Sequence, residues 1–281
     1  MEKMNNTEKK QDFKKPELSV RELTNALYEA TKTLNETNQR LLKEQKEKEE
    51  IFANISHDLR SPITVISNSI EYLLSFEELD PDVLKQSLLL MKTKSEYLKR
   101  LIEDVFLLSS LESNLKELHR EELPIIQYLE EYYYGIEADP TYADRALSIQ
   151  LPADYESIVS IDPKLFERVL DNLFSNALKF SFQGDSIRLR ASINKDASYC
   201  IIQVSNTGIG ISPNDLPYIF NRTYKADAAR SPGADKGCGL GLAIAQSILK
   251  QQEGTIQCES QGKETAFTIT LPLLAKHNTL I

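Results

Sequence analysis

Residues 52–70 read FANISHDLRSPITVISNSI and carry apolar side chains at helical spacing. These side chains, three or four positions apart, are Phe52, Ile55, Leu59, Ile63, Ile66 and Ile70. Their spacing predicts one face of an amphipathic helix, which we expect to end near Ser75. A turn over Phe76–Asp82 and a second apolar stripe from Val83 to Leu111 complete a helical hairpin. Since one hairpin cannot bury both stripes, we expect two copies to pair as a four-helix bundle in a homodimer.

The segment before the hairpin predicts a coiled coil. Val20, Leu27, Leu34 and Leu41 recur every seven residues, and the seam that they form weakens at Thr37. A seven-residue apolar repeat is the period of a coiled coil. We therefore expect a coiled-coil helix over 18–50 and a disordered polar tail over 1–17.

From about residue 120 the pattern changes to a mixture of helices and strands. Alternating or short apolar runs predict strands around 187–193, 200–204, 256–258 and 267–271. Helices are predicted at 124–135, 163–180, 213–220 and 240–252. The expected fold class is α+β, with the N-terminal coiled coil and a helical hairpin over 51–115, followed by an α/β-sandwich domain over 120–275.

Composition limits the functions that the chain can have. Its 281 residues suggest about two domains. A formal net charge of -9 and a pI of about 5.1 argue against a nucleic-acid-binding protein. No apolar run approaches the ~18 residues of a membrane span. Three cysteines without metal-ligand spacing indicate reduced thiols and a cytoplasmic protein.

His57 is the first candidate for chemistry. A neutral imidazole can act as a nucleophile or accept a phosphoryl group, and Asp58 lies beside it in the sequence. Ser61, four residues on, shares the helix face of His57 and could hold a water molecule there. Pro62 removes one helix hydrogen bond and predicts a bend. The alternative is a surface histidine in a helical bundle with an incidental proline.

Asn172, Asn176 and Lys179 form a second candidate group. Their spacings of four and three place them on one face of the helix predicted at 163–180. Asn176 could give a neutral oxygen to Mg²⁺, which keeps most of its waters beside substrate phosphates. Lys179 could meet a phosphate as a point charge. The alternative is a solvated polar face.

Two glycine-containing loops flank a predicted lid over 226–237. In the first loop, Asn206 could pair with an adenine edge, and Gly208 and Gly210 allow the backbone to approach a ligand. The second loop, Gly237-Cys238-Gly239-Leu240-Gly241, opens a predicted helix and could cradle phosphates with its N–H groups. The alternative for each loop is a simple glycine-rich turn.

In their order, these features resemble the bacterial sensor histidine kinases of two-component systems. The matching segments are 56–62 as the H box, 172–181 as the N box, 206–211 as the G1 box, 219–224 as the F box and 237–242 as the G2 box. The resemblance implies a dimerisation and phosphotransfer bundle followed by a Bergerat-type ATP-binding domain. It implies autophosphorylation of His57 from ATP and Mg²⁺, transfer to an aspartate of a cognate response regulator, and phosphatase activity as a further activity.

The resemblance also assigns residue roles. Asp58 orients His57 and receives its proton, and Ser61 stands at the phosphatase position. Asn176 is the Mg²⁺ ligand, supported by Asn172. The resemblance implies that Lys179 and Arg222 contact the phosphates of ATP, and that Phe180 and Asn206 contact its adenine. It also implies that the two glycine loops contact ATP through Gly208, Gly210, Gly237, Gly239, Leu240 and Gly241.

Three positions depart from the family pattern. Asn206 replaces the usual aspartate and brings one more hydrogen-bond donor to satisfy, so weaker or altered nucleotide binding is expected. Thr223 replaces a second aromatic residue of the F box, and Ser61 replaces threonine or asparagine. One alternative is therefore a catalytically weak scaffold that binds a response regulator. The other is a serine kinase of the anti-sigma type. No sensor domain is recognisable before residue 18, so the coiled coil could receive its input from an upstream sensor protein, or the chain could be the cytoplasmic part of a larger sensor.

Overall fold

The computed structural model describes residues 20–76, 78, 80–113, 117–153, 156–225 and 238–274. The predicted tail over 1–17, the predicted lid over 226–237 and Gly237 lie outside these residues. The chain divides into two compact units, Met1–Phe52 and Ala53–Ile281. In the first unit the described residues are helical, and the apolar residues of the seven-residue repeat are exposed. Nothing in a single chain shows what covers them, so the coiled coil stays a prediction.

The predicted helical hairpin is confirmed. Helix α1 (Val20–Leu74) ends where the sequence predicts, and helix α2 (Pro81–Glu112) follows. The carboxylate of Asp80 accepts a hydrogen bond from the backbone N–H of Asp82 and so caps α2. Because Asp80 and Pro81 suit the start of a helix, the turn is shorter than Phe76–Asp82. Helix α1 continues through Pro62, whose side chain is buried.

The C-terminal part is built on a five-stranded mixed sheet in the order β2-β4-β5-β7-β6, beside a separate two-stranded sheet of β1 and β3. The strands are β1 (Glu121–Pro124), β2 (Ala146–Gln150), β3 (Ile158–Ile161), β4 (Ser186–Ile193), β5 (Tyr199–Thr207), β6 (Thr255–Gln261) and β7 (Glu264–Pro272). Only the β2–β4 pair of the large sheet is parallel. The helices of this part are α3 (Ile125–Ala138), α4 (Pro163–Lys179) and α5 (Gly241–Gln251).

The core lies between the sheet and the helices. Buried and less buried residues alternate along β7, along most of β5 and in the first half of β4, as in Ile187 and Leu189, because the side chains of a strand alternate between two faces. Helix α4 contributes the apolar stripe that its sequence predicts, including the fully buried Val169 and Leu173. These residues belong to one continuous cluster, which confirms the helix layer on a mixed sheet.

The predicted helix over 213–220 is wrong. The segment holds only a single 3-10 turn, Leu216–Tyr218. Pro213 and Pro217 lie four residues apart, and a proline inside a helix lacks the N–H and clashes with the preceding turn. The four predicted strands are confirmed within β4, β5, β6 and β7, whereas β1, β2 and β3 were not predicted.

Helix α2 packs against α5 within the second unit. Leu101, Leu108 and Leu111 of α2 are buried, and the side-chain amide of Gln251 donates to the carbonyl of Leu111 at 2.6 Å. Helix α2 is also joined to α4 by an ion pair. The Arg168 guanidinium of α4 donates to the Asp104 carboxylate of α2. Burial raises the pKa of the Asp104 carboxyl, although the hydrogen bond and the charge of Arg168 act in the opposite direction.

No helix in the described part of the chain is long and apolar enough to cross a membrane.

Candidate functional site

A cavity of about 780 Å³ lies between α4, β5, the start of α5 and helix α2. Its size is that of a typical small-molecule site, about 300–1,000 Å³. The predicted residues that line it are Asn172, Asn176, Lys179, Phe180, Asn206, Gly239, Leu240 and Gly241. Gly208, Gly210, Arg222, His57, Asp58 and Ser61 lie outside its lining. The structure therefore gathers most of the predicted nucleotide-binding residues around one cavity.

Helix α4 carries the two asparagines. Asp162 accepts a hydrogen bond from the backbone N–H of Leu165 at 3.1 Å and fixes the start of this helix. Because the apolar stripe of α4 is buried in the core, Asn172 and Asn176 face the cavity. The amide of Asn172 donates to the carbonyl of Gly241 at 3.1 Å, so it ties α4 to the start of α5. Asn176 lines the cavity one turn later.

The end of α4 places a positive charge at the cavity. The ammonium of Lys179 lies 5.1 Å from the centre of the Phe180 ring, within the range of a cation–π contact. Phe180 itself is anchored by its backbone, whose N–H donates to Asn176 and whose carbonyl accepts from Ile209 at 3.1 Å. Lys179 is exposed at the rim, where it can approach a charged ligand.

Asn206 lies in β5 between Ile187 of β4 and Thr265 of β7, and only 5% of its surface is exposed. Its side-chain N–H donates to the carbonyl of Thr207 at 3.0 Å. One of the N–H donors that asparagine brings in place of aspartate is thus bonded within the chain. The amide oxygen of Asn206 is the acceptor that an exocyclic amine of a purine requires.

Replacing Asn206 with alanine is expected to weaken ATP binding about 5- to 150-fold, the cost of losing one buried hydrogen bond of about 1–3 kcal/mol. The preference for ATP over GTP should shrink with it, because guanine carries a carbonyl where adenine carries the amine. Calorimetric titration of both nucleotides measures this. Retention of the full ATP-over-GTP preference in Asn206→Ala would mean that another group reads the base.

Two predicted glycines of the G1 segment have packing roles. A Cβ on Gly208 would lie 2.0 Å from the carbonyl oxygen of Phe180, and one on Gly210 would lie 2.3 Å from that of Gly262. Gly210 also has a positive φ of 70°. The sequence predicts that these glycines let the backbone approach a ligand, whereas in the structure they let it approach other backbone atoms of the same chain. The approach at Gly208 brings the residue after β5 against the end of α4, where Phe180 lines the cavity, and the approach at Gly210 is to the turn between β6 and β7.

The start of α5 is held by a second close approach. Gly239 has a φ of 72°, and a Cβ there would lie 2.7 Å from the carbonyl oxygen of Tyr224. The backbone N–H of Thr223 donates to the carbonyl of Gly239 at 3.1 Å. Among the described residues no side chain caps the first turn of α5, and Leu240 and Gly241 line the cavity. An uncapped helix start is a suitable place for phosphate groups.

His57 lies outside the cavity, with 80% of its side chain exposed. Its Nδ1 is 3.3 Å from Oδ1 of Asp58, so the neighbouring carboxylate reaches the ring although the two residues follow one another in the helix. Ser61 is exposed one turn further along. Asp58 is only 12% exposed, and its other oxygen, Oδ2, accepts from the ammonium of Lys225 at 2.8 Å.

Lys225 was not among the predicted site residues. It lines the cavity and also contacts Asp58, so it connects the two groups that the sequence predicts separately. The only signal in the sequence is its position directly after the F box segment. Cys238 lies near the same pair, and burial raises the pKa of its thiol to about 12, with the Asp58 carboxylate as a further cause. This thiol is therefore protonated at neutral pH.

Comparison with known proteins agrees with the arrangement of these parts. Residues 47–114 match the model of the His Kinase A (phospho-acceptor) domain. Residues 161–275 match the model of the histidine kinase-, DNA gyrase B- and HSP90-like ATPase. The first match contains His57, and the second contains the asparagines of α4 and both glycine loops.

Two curated relatives are sensor proteins. The sensor histidine kinase WalK of Bacillus subtilis (strain 168) is 32% identical over 231 residues, which are 82% of this chain and 37% of WalK. The sensor protein SrrB of Staphylococcus aureus (strain NCTC 8325 / PS 47) is 32% identical over 228 residues, 80% of this chain and 38% of SrrB. The chain thus spans less than half the length of these relatives.

The fold is shared with a solved kinase structure. The histidine kinase ThkA, in complex with the response regulator protein TrrA, matches with a TM-score of 0.62 at 21% identity, over 84% of this chain and 66% of that chain. This likeness concerns the fold. The two matched domains and the curated relatives show that the chain belongs to the sensor histidine kinases of two-component systems.

Proposed function

We propose that the chain is an ATP-dependent protein-histidine kinase that phosphorylates its own His57 and passes the phosphoryl group to an aspartate of a response regulator. One observation carries this proposal. The cavity that suits a nucleotide and the exposed histidine are connected through Lys225 and Asp58, because Lys225 lines the cavity and Asp58 contacts both Lys225 and His57.

The cavity suits ATP with Mg²⁺. Asn206 offers the hydrogen-bonding group for adenine, and the start of α5 and Lys179 offer positive charge for phosphates. Within the described ranges, no group of three or more histidine, cysteine, aspartate or glutamate side chains is arranged to hold a metal ion. A single amide oxygen from Asn176 beside nucleotide phosphates and water fits Mg²⁺, which takes few protein ligands. When bound, Mg²⁺ neutralises charge on the phosphates.

The residues of the chain supply positioning for the transfer. Asp58 accepts from Nδ1–H of His57 and leaves Nε2 with the lone pair that attacks the γ-phosphorus. The bond from phosphorus to the β–γ bridging oxygen breaks, and ADP is the leaving group. Positive charge that develops on the ring is met by the Asp58 carboxylate, and charge on the leaving phosphates by Lys179 and the α5 N-terminus.

The proposed partners are a second copy of the chain and a cognate response regulator. Apolar side chains of the hairpin remain exposed in the single chain, among them Ile63, Ile70 and Leu88, which supports pairing of two hairpins into a four-helix bundle. The seven-residue repeat over 18–50 supports an upstream sensor protein or segment as the source of the signal. A phosphohistidine in the cytoplasm donates to the aspartate carboxylate of the regulator. We expect no nucleic-acid partner.

Ser61 supports a phosphatase activity in addition. Its hydroxyl is exposed one helical turn after His57 and can hold a water molecule on that face.

Labelled ATP and Mg²⁺ test the kinase proposal on the whole chain. We expect acid-labile, alkali-stable phosphate on the protein, located by peptide mapping to the segment with His57, and its loss when a cognate response regulator is added. Acid-stable phosphate on a separate protein would instead indicate a serine kinase. A folded chain that binds ATP but carries no phosphate would indicate a scaffold.

A further inference from the structure

The Asp58 carboxylate bridges two side chains from distant parts of the sequence. Oδ1 lies 3.3 Å from Nδ1 of His57, and Oδ2 lies 2.8 Å from the ammonium of Lys225. The side chains of Asp58 and Lys225 are 12% and 24% exposed, so this ion pair is largely shielded from water. A carboxylate with a contact at each oxygen cannot rotate freely. The bond from Lys225 to Oδ2 therefore sets the orientation in which Oδ1 faces His57.

The backbone that carries Lys225 is itself fixed. The amide of Asn54, one helical turn before Asp58, donates to the hydroxyl of Thr223 at 3.0 Å. The hydroxyl of Tyr224 donates to Asp215 at 2.6 Å. Residues 223–225 therefore lie along α1 with contacts at two positions four residues apart, which share a helix face.

The hydroxyl of Thr223 explains one departure from the family pattern. An aromatic side chain at this position could not accept the hydrogen bond from Asn54 in this way. The two contacts act together. The bond between Asn54 and Thr223 fixes the position of residues 223–225 along α1, and the bond between Lys225 and Asp58 fixes the orientation of the carboxylate.

We propose that Lys225 is a positioning residue for the phosphorylation of His57, acting through Asp58. It holds the carboxylate so that Oδ1 accepts from Nδ1–H of His57, which favours the tautomer whose Nε2 carries the lone pair. This inference rests on the proposed function, since it concerns the same reaction. It differs from a phosphate-binding role, in which a lysine at the cavity changes ATP affinity and acts independently of Asp58.

A double-mutant cycle separates the two roles. Lys225→Met keeps the length of the side chain and removes the charge. It is expected to lower the rate of His57 phosphorylation at saturating ATP and Mg²⁺ by about 10-fold or more, as misplacement of a reacting group does. The dissociation constant for ATP should change by less than about twofold. In an Asp58→Asn background, adding Lys225→Met should lower the rate of His57 phosphorylation by less than about twofold. The effects of two residues are not additive when one acts through the other.

Two further variants serve as controls. Lys225→Arg should restore most of the rate, because it can donate to the same carboxylate. Lys195→Met removes an exposed lysine from the turn between β4 and β5 and should leave the rate unchanged. Multiplicative losses in the cycle, or a loss of ATP affinity that accounts for the lower rate, would overturn the inference.

A second measurement needs no phosphorylation. Nitrogen NMR of histidine-labelled protein without ATP reports the tautomer of His57, and Lys225→Met should reduce the fraction with the proton on Nδ1. A circular dichroism melt confirms that the variant is folded. An unchanged tautomer fraction in the folded variant would overturn the inference. Absence of phosphorylation in the parent protein would count against the proposed function, and the tautomer measurement would still decide the role of Lys225.

Discussion

Replacing His57 with glutamine is expected to abolish acid-labile phosphate on the chain. The affinity for ATP should stay within about twofold of the parent, because a residue that takes part only in the chemical step does not contribute to substrate binding. A glutamine amide has no basic nitrogen to attack phosphorus. The His57 side chain is 80% exposed and lies outside the cavity, so its loss changes neither the core nor the lining of the cavity. Labelled phosphate and a calorimetric ATP titration on the same preparation measure the two quantities.

His119→Gln is the matched control. His119 is exposed, and its described hydrogen bond to Asp162 comes from the backbone N–H rather than from the ring. This variant should carry phosphate as the parent does. Undiminished acid-labile phosphate on His57→Gln would place the acceptor elsewhere and remove the reason for Asp58 and Lys225 to act on this histidine.

Elements with a regular apolar period were predictable from the sequence. The hairpin, α4, α5 and the four long strands each carry an apolar face, which is visible in the sequence as a spacing of three and four or of two. The strands β1, β2 and β3 are too short for an alternation of apolar and polar residues to be recognised in the sequence. The segment 213–220 has apolar residues at helical spacing, but its two prolines prevent a helix.

The predicted site was limited in a similar way. Spacing within one helix identified Asn172, Asn176 and Lys179 as neighbours, and all three line the cavity. It could not identify the bond from Asn172 to Gly241 or the pair of Lys225 with Asp58, because those partners are 69 and 167 positions apart. A long-range contact leaves no periodic signal in a single sequence.

Asn206 illustrates a substitution whose consequence depends on its neighbours. The sequence predicts weaker or altered nucleotide binding from an added donor, and the structure shows that donor bonded to Thr207. This bond lowers the cost of burying the amide group at that position. What remains changed is the charge, since a neutral amide stands where the family pattern has a carboxylate.

Replacing Gly208 with alanine is expected to destabilise the ATP-binding part by about 3 kcal/mol or more, at the upper end of overpacking costs. The added Cβ would lie 2.0 Å from the carbonyl oxygen and 2.9 Å from the carbonyl carbon of Phe180, which are backbone atoms that cannot turn away. The end of β5 or the end of α4 must move, and Phe180 lines the cavity. Urea unfolding followed by circular dichroism measures the loss of stability, and ATP affinity should fall with it.

Gly135→Ala is the opposite case in the same chain. Gly135 lies within α3, and a Cβ there would meet no atom within 4 Å. Alanine should therefore stabilise the protein by roughly 0.5–1 kcal/mol, because glycine in a helix loses more conformational freedom on folding. The two variants add the same methyl group, so the difference in sign isolates the close approach at Phe180. Equal unfolding midpoints for both would show that the G1 segment can yield at little cost, and that Gly208 is not required for packing.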